Sequence, residues 1–402
     1  MHRLSVFVVV MLLGTLYGHA EVSADSVTVT PDVHVATSDT LTVQKPNFWH
    51  RGVIGKVIGY FDKADDPKPL DKFDFSIIGG PFYNKTAGVG IGLCGSGLYH
   101  LQPSNPKLQQ SSISLTAQAT TKGMFSLYAR GYNFLPDDRY RSDFEVELTT
   151  FKNEFWGFGF DNCDNDDNSS FIQRNQVQAR GNFLFRLAPH FYVGPSVYYS
   201  LFFADKREQK ADSLIGDGPH KTSTLGLGLL ARYDSRDNPL SAQRGLYVNL
   251  EQRVQPECFG GHSTYTTTEL EVCGYIPIWK GCILAGEFHS LINCGNDVPW
   301  TDYAKVGGIY RMRGYYEARY RDRNIIEGQI EFRQHIKGRS GIVLFAGFAN
   351  AFRNTHTWRF NHTLPNYGVG YRWTFKPGVH IRLDLGMTRK GPGFIFAINE
   401  AF

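Results

Sequence analysis

The segment from Gly307 to Arg333, GGIYRMRGYYEARYRDRNIIEGQIEFR, constrains the fold of this chain more than any other stretch. Its first half is dense in Gly, Arg and Tyr, which is typical of a loop. Its second half alternates strictly between Ile326, Gly328, Ile330 and Phe332 on one side and Glu327, Gln329, Glu331, Arg333 and His335 on the other. Because successive side chains of a strand point to opposite faces, this half is predicted to be a strand with one apolar and one polar face.

The same strand-like pattern recurs along the chain and predicts about sixteen strands. They lie at roughly 73–80, 87–100, 110–118, 122–132, 140–150, 171–187, 190–202, 221–233, 244–254, 263–276, 281–293, 324–336, 340–350, 366–376, 379–386 and 392–402. Alternation alone leaves open whether the apolar face points into a soluble core or outward into lipid.

The lengths of the connections favour a membrane barrel over a soluble fold. The long connections follow odd-numbered predicted strands, at 151–170, 203–220, 294–323 and 351–365, and most of the others are short turns. Outer-membrane barrels have this parity, with long loops at one end and short turns at the other. The connections 101–109 and 234–243 are longer than the rule predicts. Aromatic residues make up 14% of the chain, which suits the aromatic girdles of such barrels.

The N-terminal part is predicted to lie outside the barrel, which is assigned to residues 65–402. Residues 1–20 have a basic start, a short apolar run and a small-x-small site ending at Ala20, as in a signal peptide. Residues 21–44 are rich in Ser, Thr and Val and are predicted to be a flexible linker. Residues 45–64 carry apolar residues every four positions, which predicts a short amphipathic helix on the membrane interface or packed against the barrel.

Several motifs resemble the BamA/TamA superfamily of outer-membrane barrels. Arg313-Gly314-Tyr315, preceded by Gly307-Gly308, resembles the R-G-F/Y loop motif of that superfamily. The segments Gly79–Tyr83 with Gly88–Gly92, Pro136–Tyr140 with Phe155–Gly159, and Tyr233–Asp237 with Arg244–Tyr247 resemble further family motifs in the same order. The resemblance covers about Phe73 to Phe402.

The resemblance implies that the loop around Arg313 folds back from outside into the barrel lumen. In the family the loop arginine meets an aspartate on the inner wall, within an F-x-D-x-G motif. Here the motif reads Phe345-Ala-Gly-Phe-Ala, so Gly347 stands where the aspartate is expected. A confined arginine needs acceptors. Glu331 is therefore the predicted luminal partner, and Glu327, on the same strand face, is the alternative.

The C-terminal segment resembles the signal that the barrel-insertion machinery reads during assembly of such proteins. Phe394, Phe396 and Ile398 share a face, and Phe402 is the last residue. The resemblance also implies first and last strands that pair weakly, so that the seam between them opens. The family's periplasmic POTRA domains are far larger than residues 21–44 allow.

The sequence lacks the patterns that catalysis or metal binding requires. It contains neither a nucleophile elbow nor a phosphate loop, and its six cysteines form no CxxC pair, so no catalytic, cofactor or metal site is predicted. His289 and Ser290 point to opposite strand faces and cannot form a dyad. The acidic run from Asp161 to Ser170 is either a calcium site or, as its spacing favours, a solvated loop. Cys273 and Cys282 either form a disulfide or, as the strict geometry favours, stay free.

The sequence thus predicts an all-β, transmembrane, antiparallel barrel in the outer membrane of a Gram-negative bacterium. The implied role is non-enzymatic and concerns insertion, assembly or export of outer-membrane components. Its partners would be outer-membrane lipid, the insertion machinery and client outer-membrane proteins. The alternative is a passive channel or structural barrel, since about sixteen strands can enclose an aqueous lumen. The net charge of +4 is scattered among both signs, so no nucleic-acid partner is predicted.

Overall fold

The computed structural model describes residues 73–376 and 379–402. The predicted signal peptide (1–20), linker (21–44) and amphipathic helix (45–64) therefore lie outside the described residues. None of the helices within the described part of the chain is long and apolar enough to cross a membrane.

Sixteen strands form one antiparallel sheet in which each strand pairs with its neighbour along the chain. They are β1 (Asp74–Asn84), β2 (Gly88–Tyr99), β3 (Ser111–Thr120), β4 (Phe125–Phe134), β5 (Tyr140–Phe155), β6 (Ser170–Ala188), β7 (Phe191–Arg207), β8 (Lys221–Asp234), β9 (Gly245–Gln255), β10 (Tyr265–Trp279), β11 (Cys282–Cys294), β14 (Asn324–Lys337), β15 (Ser340–Phe352), β16 (Leu364–Lys376), β17 (Val379–Thr388) and β18 (Gly391–Ile398). The predicted number and order of strands are confirmed, and the main differences in their bounds lie at the ends of β5, β7 and β18.

The longest connection, residues 295–323 between β11 and β14, is called the in-folded loop below. It contains a two-stranded ribbon, β12 (Ala304–Lys305) and β13 (Arg321–Asp322). Two short helices, α1 (Phe160–Asp164) and α2 (Gln209–Ile215), lie in the β5–β6 and β7–β8 connections. Five 3₁₀ turns complete the described helical segments, at Pro136–Asp138, Asp166–Asn168, Glu257–Phe259, Trp300–Asp302 and Phe360–His362.

The two faces of the sheet have opposite chemistry. One face exposes large apolar side chains; Ile91 is 66% exposed and Leu229 is 67% exposed. The other face buries charged side chains, including Glu251, Glu331 and Arg382, each 0% exposed. A soluble barrel places its apolar residues inside. The reversed arrangement here has a polar lumen and an apolar outer wall, as a barrel surrounded by lipid requires.

The seam lies between the first and last strands. Because unpaired edges are costly in lipid, the sequence predicts a barrel closed by pairing of the strand near Phe73 with the strand near Phe396. In the structure β1 and β18 lie side by side, with Cα atoms within 8 Å, but among the described residues no strand register joins them. Both strands carry a proline at this edge, Pro81 and Pro392, and proline has no N–H to donate to a ladder. At the tips, the Lys85 Nζ donates to the Lys390 carbonyl at 2.6 Å.

The C-terminus also departs from the prediction, which extended the last strand to residue 402. Strand β18 ends at Ile398, and Asn399 has a positive φ of 68° that turns the chain off the strand direction. Phe402 then packs beside Tyr275, with ring centroids 6.1 Å apart, and its carbonyl accepts a hydrogen bond from Arg333 at 3.1 Å. Phe402 is therefore separated from the side chains of β18.

The apolar core lies inside the end of the barrel that carries the long loops. One cluster joins the in-folded loop to α1 and the wall; its buried members are Cys163, Ala304, Val306, Met312, Tyr315, Tyr320, Ile325, Ala349 and Leu364. A second cluster packs Trp300 against Phe155, Phe202 and residues of α2. These contacts hold the in-folded loop against both the wall and the other long loops.

Candidate functional site

The in-folded loop brings its arginine, Arg313, into the barrel interior. Arg313 is 0% exposed, and its Nη2 lies 2.5 Å from Glu331 Oε1 on β14. Its Nη1 donates to Asp384 Oδ2 on β17 at 2.9 Å. The guanidinium also lies over the ring of Phe345 on β15, with Cζ 3.7 Å from the ring centroid. Three wall strands therefore hold one loop side chain through two charged contacts and one cation–π contact.

Of the two acidic partners considered from the sequence, the structure brings Glu331 to Arg313 and keeps Glu327 apart. Glu327 Oε1 lies 2.8 Å from His289 Nδ1 and 4.0 Å from the Nε of Arg311, a second arginine of the same loop. Arg311 in turn lies 2.5 Å from Glu287 Oε1 and 3.1 Å from Glu271 Oε1. The loop is thus attached to the wall by two arginines, each with its own set of carboxylates.

Asp384 is the partner that the sequence reasoning missed. It contacts Arg313, Arg372 at 2.5 Å and Arg382 at 3.3 Å, so one carboxylate serves three guanidinium groups. The alternation of Arg382 and Asp384 along one strand face was visible in the sequence. What the sequence did not show is that β17 lies opposite the loop. A search of the predicted strands near the seam for acidic residues on the luminal face would have found Asp384.

The space beside Gly347 explains why the family aspartate is absent there. A Cβ at Gly347 would lie 2.6 Å from Asn366 Oδ1 and 2.8 Å from the Gly328 carbonyl oxygen. Contacts below 3.0 Å force neighbouring atoms to move, and one of these is backbone. The position is therefore already filled by Asn366, whose Nδ2 donates to the Arg313 carbonyl at 3.2 Å.

The glycines of the loop motif allow a close approach of two backbones. Gly307, Gly308 and Gly314 all have positive φ, at 96°, 127° and 103°. At Gly314 a Cβ would lie 2.7 Å from the Gly386 carbonyl of β17, so any larger residue would push the loop off the wall. The next motif residue, Tyr315, is buried, and its hydroxyl donates to the Pro365 carbonyl at 2.8 Å.

At the long-loop end, the in-folded loop contacts both hairpins that border the seam. Its Glu317 N–H donates to Thr86 Oγ1 in the β1–β2 turn at 2.8 Å. Lys390, in the β17–β18 turn, donates to the Asp164 carbonyl at 2.7 Å and lies 3.4 Å from Asp166. Asp166 also pairs with Arg319 of the loop. The contacts of Lys390 and Arg319 lie within the acidic run from Asp161 to Ser170, where these two side chains pair with Asp164 and Asp166.

The Arg319 guanidinium hydrogen bond lowers the pKa of Asp166 from its ordinary value. A carboxylate with a lowered pKa in the folded state stabilises above its unfolded pKa and loses that effect as the pH falls through the folded value. This contact between the two loops is therefore present at neutral pH and lost in acid.

The remaining predicted site residues are placed as follows. Phe394, at 38% exposed, lies on the outward side of β18, whose alternate residues Ile395 and Ala397 are buried. All six cysteines, including Cys273 and Cys282, are free. Cys273 lies with Glu271 and Glu287 in a group whose ligand-type atoms are within 4.8 Å of one another. Arg311 already neutralises both glutamates of that group.

A lipid-facing antiparallel barrel with a polar lumen and an arginine-anchored loop is the architecture of an outer-membrane transport or assembly protein. The sequence matches the Omp85 superfamily domain over residues 109–402, and the chain belongs to that superfamily. Its members are non-enzymatic transporter and assembly proteins that reside in the bacterial outer membrane.

Solved structures share the fold at low sequence identity. BamA from Haemophilus ducreyi lacking POTRA domains 1–3 matches with a TM-score of 0.54 at 12% identity, over 82% of this chain and 70% of that one. CdiB from Acinetobacter baumannii matches with a TM-score of 0.52 at 14% identity, over 82% of this chain and 59% of that one. CdiB from Escherichia coli matches with a TM-score of 0.53 at 9% identity, over 84% of this chain and 69% of that one. This chain thus spans less than two thirds of the Acinetobacter protein. The comparison with curated proteins found no match.

Proposed function

We propose that this barrel assists the insertion, assembly or export of outer-membrane components and is not a passive pore. The observation that carries the proposal is the in-folded loop, held inside the barrel by Arg313 with Glu331 and Asp384, all three 0% exposed. A passive pore works best with an open aqueous path along its axis. A loop anchored by buried ion pairs obstructs that path and makes it depend on a conformational change.

The seam supports the same proposal. Strands β1 and β18 are neighbours, yet among the described residues no register joins them. Separating them would break fewer backbone hydrogen bonds than separating any of the fully registered pairs. The seam is therefore the position in the wall where a client segment enters at the smallest energetic cost.

Contacts between the lumen wall and the in-folded loop support a role for the loop in opening the seam. Arg382, one of the residues on Asp384, donates to the Ile309 carbonyl of the loop at 2.7 Å. Gly393 of β18 lies so close to Gly314 that an added Cβ would be 2.7 Å from the Gly314 Cα. Movement of β17 or β18 at the seam is therefore coupled to movement of the loop.

Depletion of the protein, followed by quantitative proteomics of the outer membrane and the medium, tests the function. Loss of several barrel proteins from the outer membrane is expected for an insertion or assembly role, and loss of one secreted protein from the medium for an export role. In planar bilayers the purified chain should show small, unstable conductance. A large, steady conductance with an unchanged proteome would establish the passive channel instead.

For the N-terminal region, we propose that residues 1–20 are removed as a signal peptide and that residues 21–44 form a flexible linker. Residues 45–64 form a short amphipathic helix on the membrane interface or against the barrel. The small-x-small site ending at Ala20 supports the cleavage position. N-terminal sequencing of the membrane-extracted protein should begin at Glu21. Recovery of chains that still begin at Met1 would contradict the cleavage.

The carboxy-terminal residues Phe394, Phe396, Ile398 and Phe402 form the proposed assembly signal. Because Phe402 lies apart from β18 in the folded barrel, its role in such a signal belongs to the chain before folding, when all four residues are accessible to the insertion machinery.

A further inference from the structure

The ribbon of the in-folded loop places two cations directly opposite each other. Lys305 of β12 is the register partner of Arg321 of β13. Directly opposed residues on an antiparallel pair have neighbouring side chains, and like charges in this position destabilise the pair. Arg174 of β6 acts electrostatically on both residues. The two cations of the ribbon and Arg174 of the wall therefore repel one another, and the Arg321 guanidinium lies over the ring of Phe155 on β5, with Cζ 4.9 Å from the ring centroid.

These cations have donors without acceptors. Arg321 is 4% exposed, and its Nη2 has no hydrogen-bond partner; the Nε of Arg174 is buried and unpartnered as well. Within the described residues no carboxylate lies within 4.0 Å of Lys305 or Arg321, and the Arg174 Nη1 reaches only Glu317, at 4.0 Å. Buried guanidinium donors without acceptors are costly, so an anion that accepted their hydrogen bonds would be stabilised here.

The acidic groups around the cluster are engaged elsewhere. Glu147 on β5 accepts a hydrogen bond from Thr149 at 2.6 Å. Asp302 accepts from Thr224 and Tyr265, both at 2.8 Å, and burial raises its pKa. Glu317 has a side chain that is 45% exposed, so solvent weakens its field at the cluster. None of the three supplies the missing acceptor.

The charge state of Lys305 reflects this arrangement. Burial, followed by the positive charges of Arg174 and Arg321, lowers the pKa of Lys305 to about 7, against the weaker influence of Glu317 and Glu147. An anion bound among the three side chains would reverse the electrostatic part of that effect.

We propose that Arg174, Lys305 and Arg321 form a binding site for a phosphate-class oxyanion. Two guanidinium forks match the paired oxygens of phosphate, and the lysine ammonium adds a point charge, which together suit a dianion better than chloride. The site joins the in-folded loop to β6, so an occupied site holds the loop to a wall far from the Arg313 contacts. Free phosphate and a phosphate monoester lipid headgroup offer the same chemistry. The proposal does not depend on the function proposed above.

The test uses the full chain in a zwitterionic detergent, with inorganic phosphate as the probe and chloride at equal ionic strength as the reference. Phosphate should raise the midpoint of thermal unfolding saturably, and chloride should not. At about pH 6, where Lys305 carries its charge, Lys305→Gln should raise the midpoint in phosphate-free buffer because it removes a repulsive charge. At about pH 8 the same substitution should weaken phosphate binding by about tenfold or more. Lys210→Gln, at an exposed lysine of α2, is the matched control and should change neither quantity.

The pH dependence gives a readout that a merely structural lysine would not. Between pH 8 and 9.5 phosphate stays a dianion while an empty site holds Lys305 neutral, so binding must take up a proton. Phosphate affinity should then fall by up to about tenfold per pH unit. In Lys305→Gln this slope should vanish.

Three results would overturn the proposal. The first is equal stabilisation by chloride and phosphate. The second is a lower phosphate-free midpoint in Lys305→Gln at about pH 6, which would mean that the charged lysine has an acidic partner. The third is a wild-type affinity independent of pH over this range. Vesicles of phosphatidic acid in phosphatidylcholine distinguish the source: protection by phosphatidic acid alone indicates a headgroup, and protection by inorganic phosphate as well indicates free phosphate.

Discussion

Arg313→Ala is expected to release the in-folded loop from the barrel wall. The substitution leaves Glu331 and Asp384 buried without their shared partner, and breaking a buried pair from one side typically costs about 3–5 kcal/mol. Glu331 keeps Arg333 at 2.6 Å and Asp384 keeps Arg372 at 2.5 Å, which limits the loss of stability. Limited trypsin digestion should show new cleavage at Arg319, Arg321 or Arg323, and the temperature of unfolding on a gel-mobility assay should fall.

Two comparisons make this result specific. Arg359→Ala removes an exposed arginine of the β15–β16 loop and should leave unfolding and the digestion of the in-folded loop unchanged, apart from the loss of its own trypsin site. Glu331→Gln should have the same effect as Arg313→Ala but weaker, since Asp384 still holds Arg313. Glu327→Gln should affect the loop less than Glu331→Gln, because Glu327 contacts His289 and only distantly Arg311. If Arg313→Ala shows no more cleavage at Arg319, Arg321 or Arg323 than Arg359→Ala does, the loop is held by other contacts.

Asp384→Asn is expected to be at least as damaging, although it is isosteric. Arg313 would keep Glu331, and Arg372 would keep Glu400 at 2.8 Å, but Arg382 would lose the one acidic partner it has within 4.0 Å among the described residues. Because a fully buried guanidinium would be left without a counter-charge, the free energy of unfolding is expected to fall by about 3–5 kcal/mol. The yield of folded barrel and the temperature of unfolding are the quantities to measure, and both should fall.

A second substitution tests whether uncompensated charge is the cause. Asp384→Asn combined with Arg382→Gln removes the unpaired guanidinium and should recover a large part of the lost stability, as coupled residues in one network do. Asp297→Asn, at a carboxylate whose side chain is 77% exposed, serves as the control and should be neutral. The contrary result is a double variant that loses as much stability as the sum of the losses in Asp384→Asn alone and Arg382→Gln alone. That result would show that Asp384 acts through packing or hydrogen bonding and not through charge.

Most of the barrel could be predicted from the sequence because strand periodicity is a local property. The alternation through Glu327, Gln329 and Glu331 assigns each residue to a face without knowledge of its neighbours. The same alternation identified Glu331 as a residue on the luminal side near the loop. The parity of long and short connections then separated a membrane barrel from a soluble one.

Other features were not predictable because they depend on which distant strands become neighbours. Asp384 is 71 residues from Arg313 in the chain, and only the curvature of the sheet brings β17 against the loop. The seam between β1 and β18 depends on two edges that meet only when the sheet closes. The turn at Asn399, which carries Phe402 away from β18, depends on lumen contacts with Tyr275 and Arg333.

The sequence by itself determined the number of strands, the face that each side chain occupies and the membership in an outer-membrane family, because these follow from local alternation and from motifs. The tertiary structure alone decided which charges meet in the lumen. Arg313 pairs with Asp384 as well as Glu331, while Lys305 lies opposite Arg321 with no acid within 4.0 Å of either among the described residues. Coulomb interactions act through space, so their partners are set by the closed sheet and not by distance along the chain.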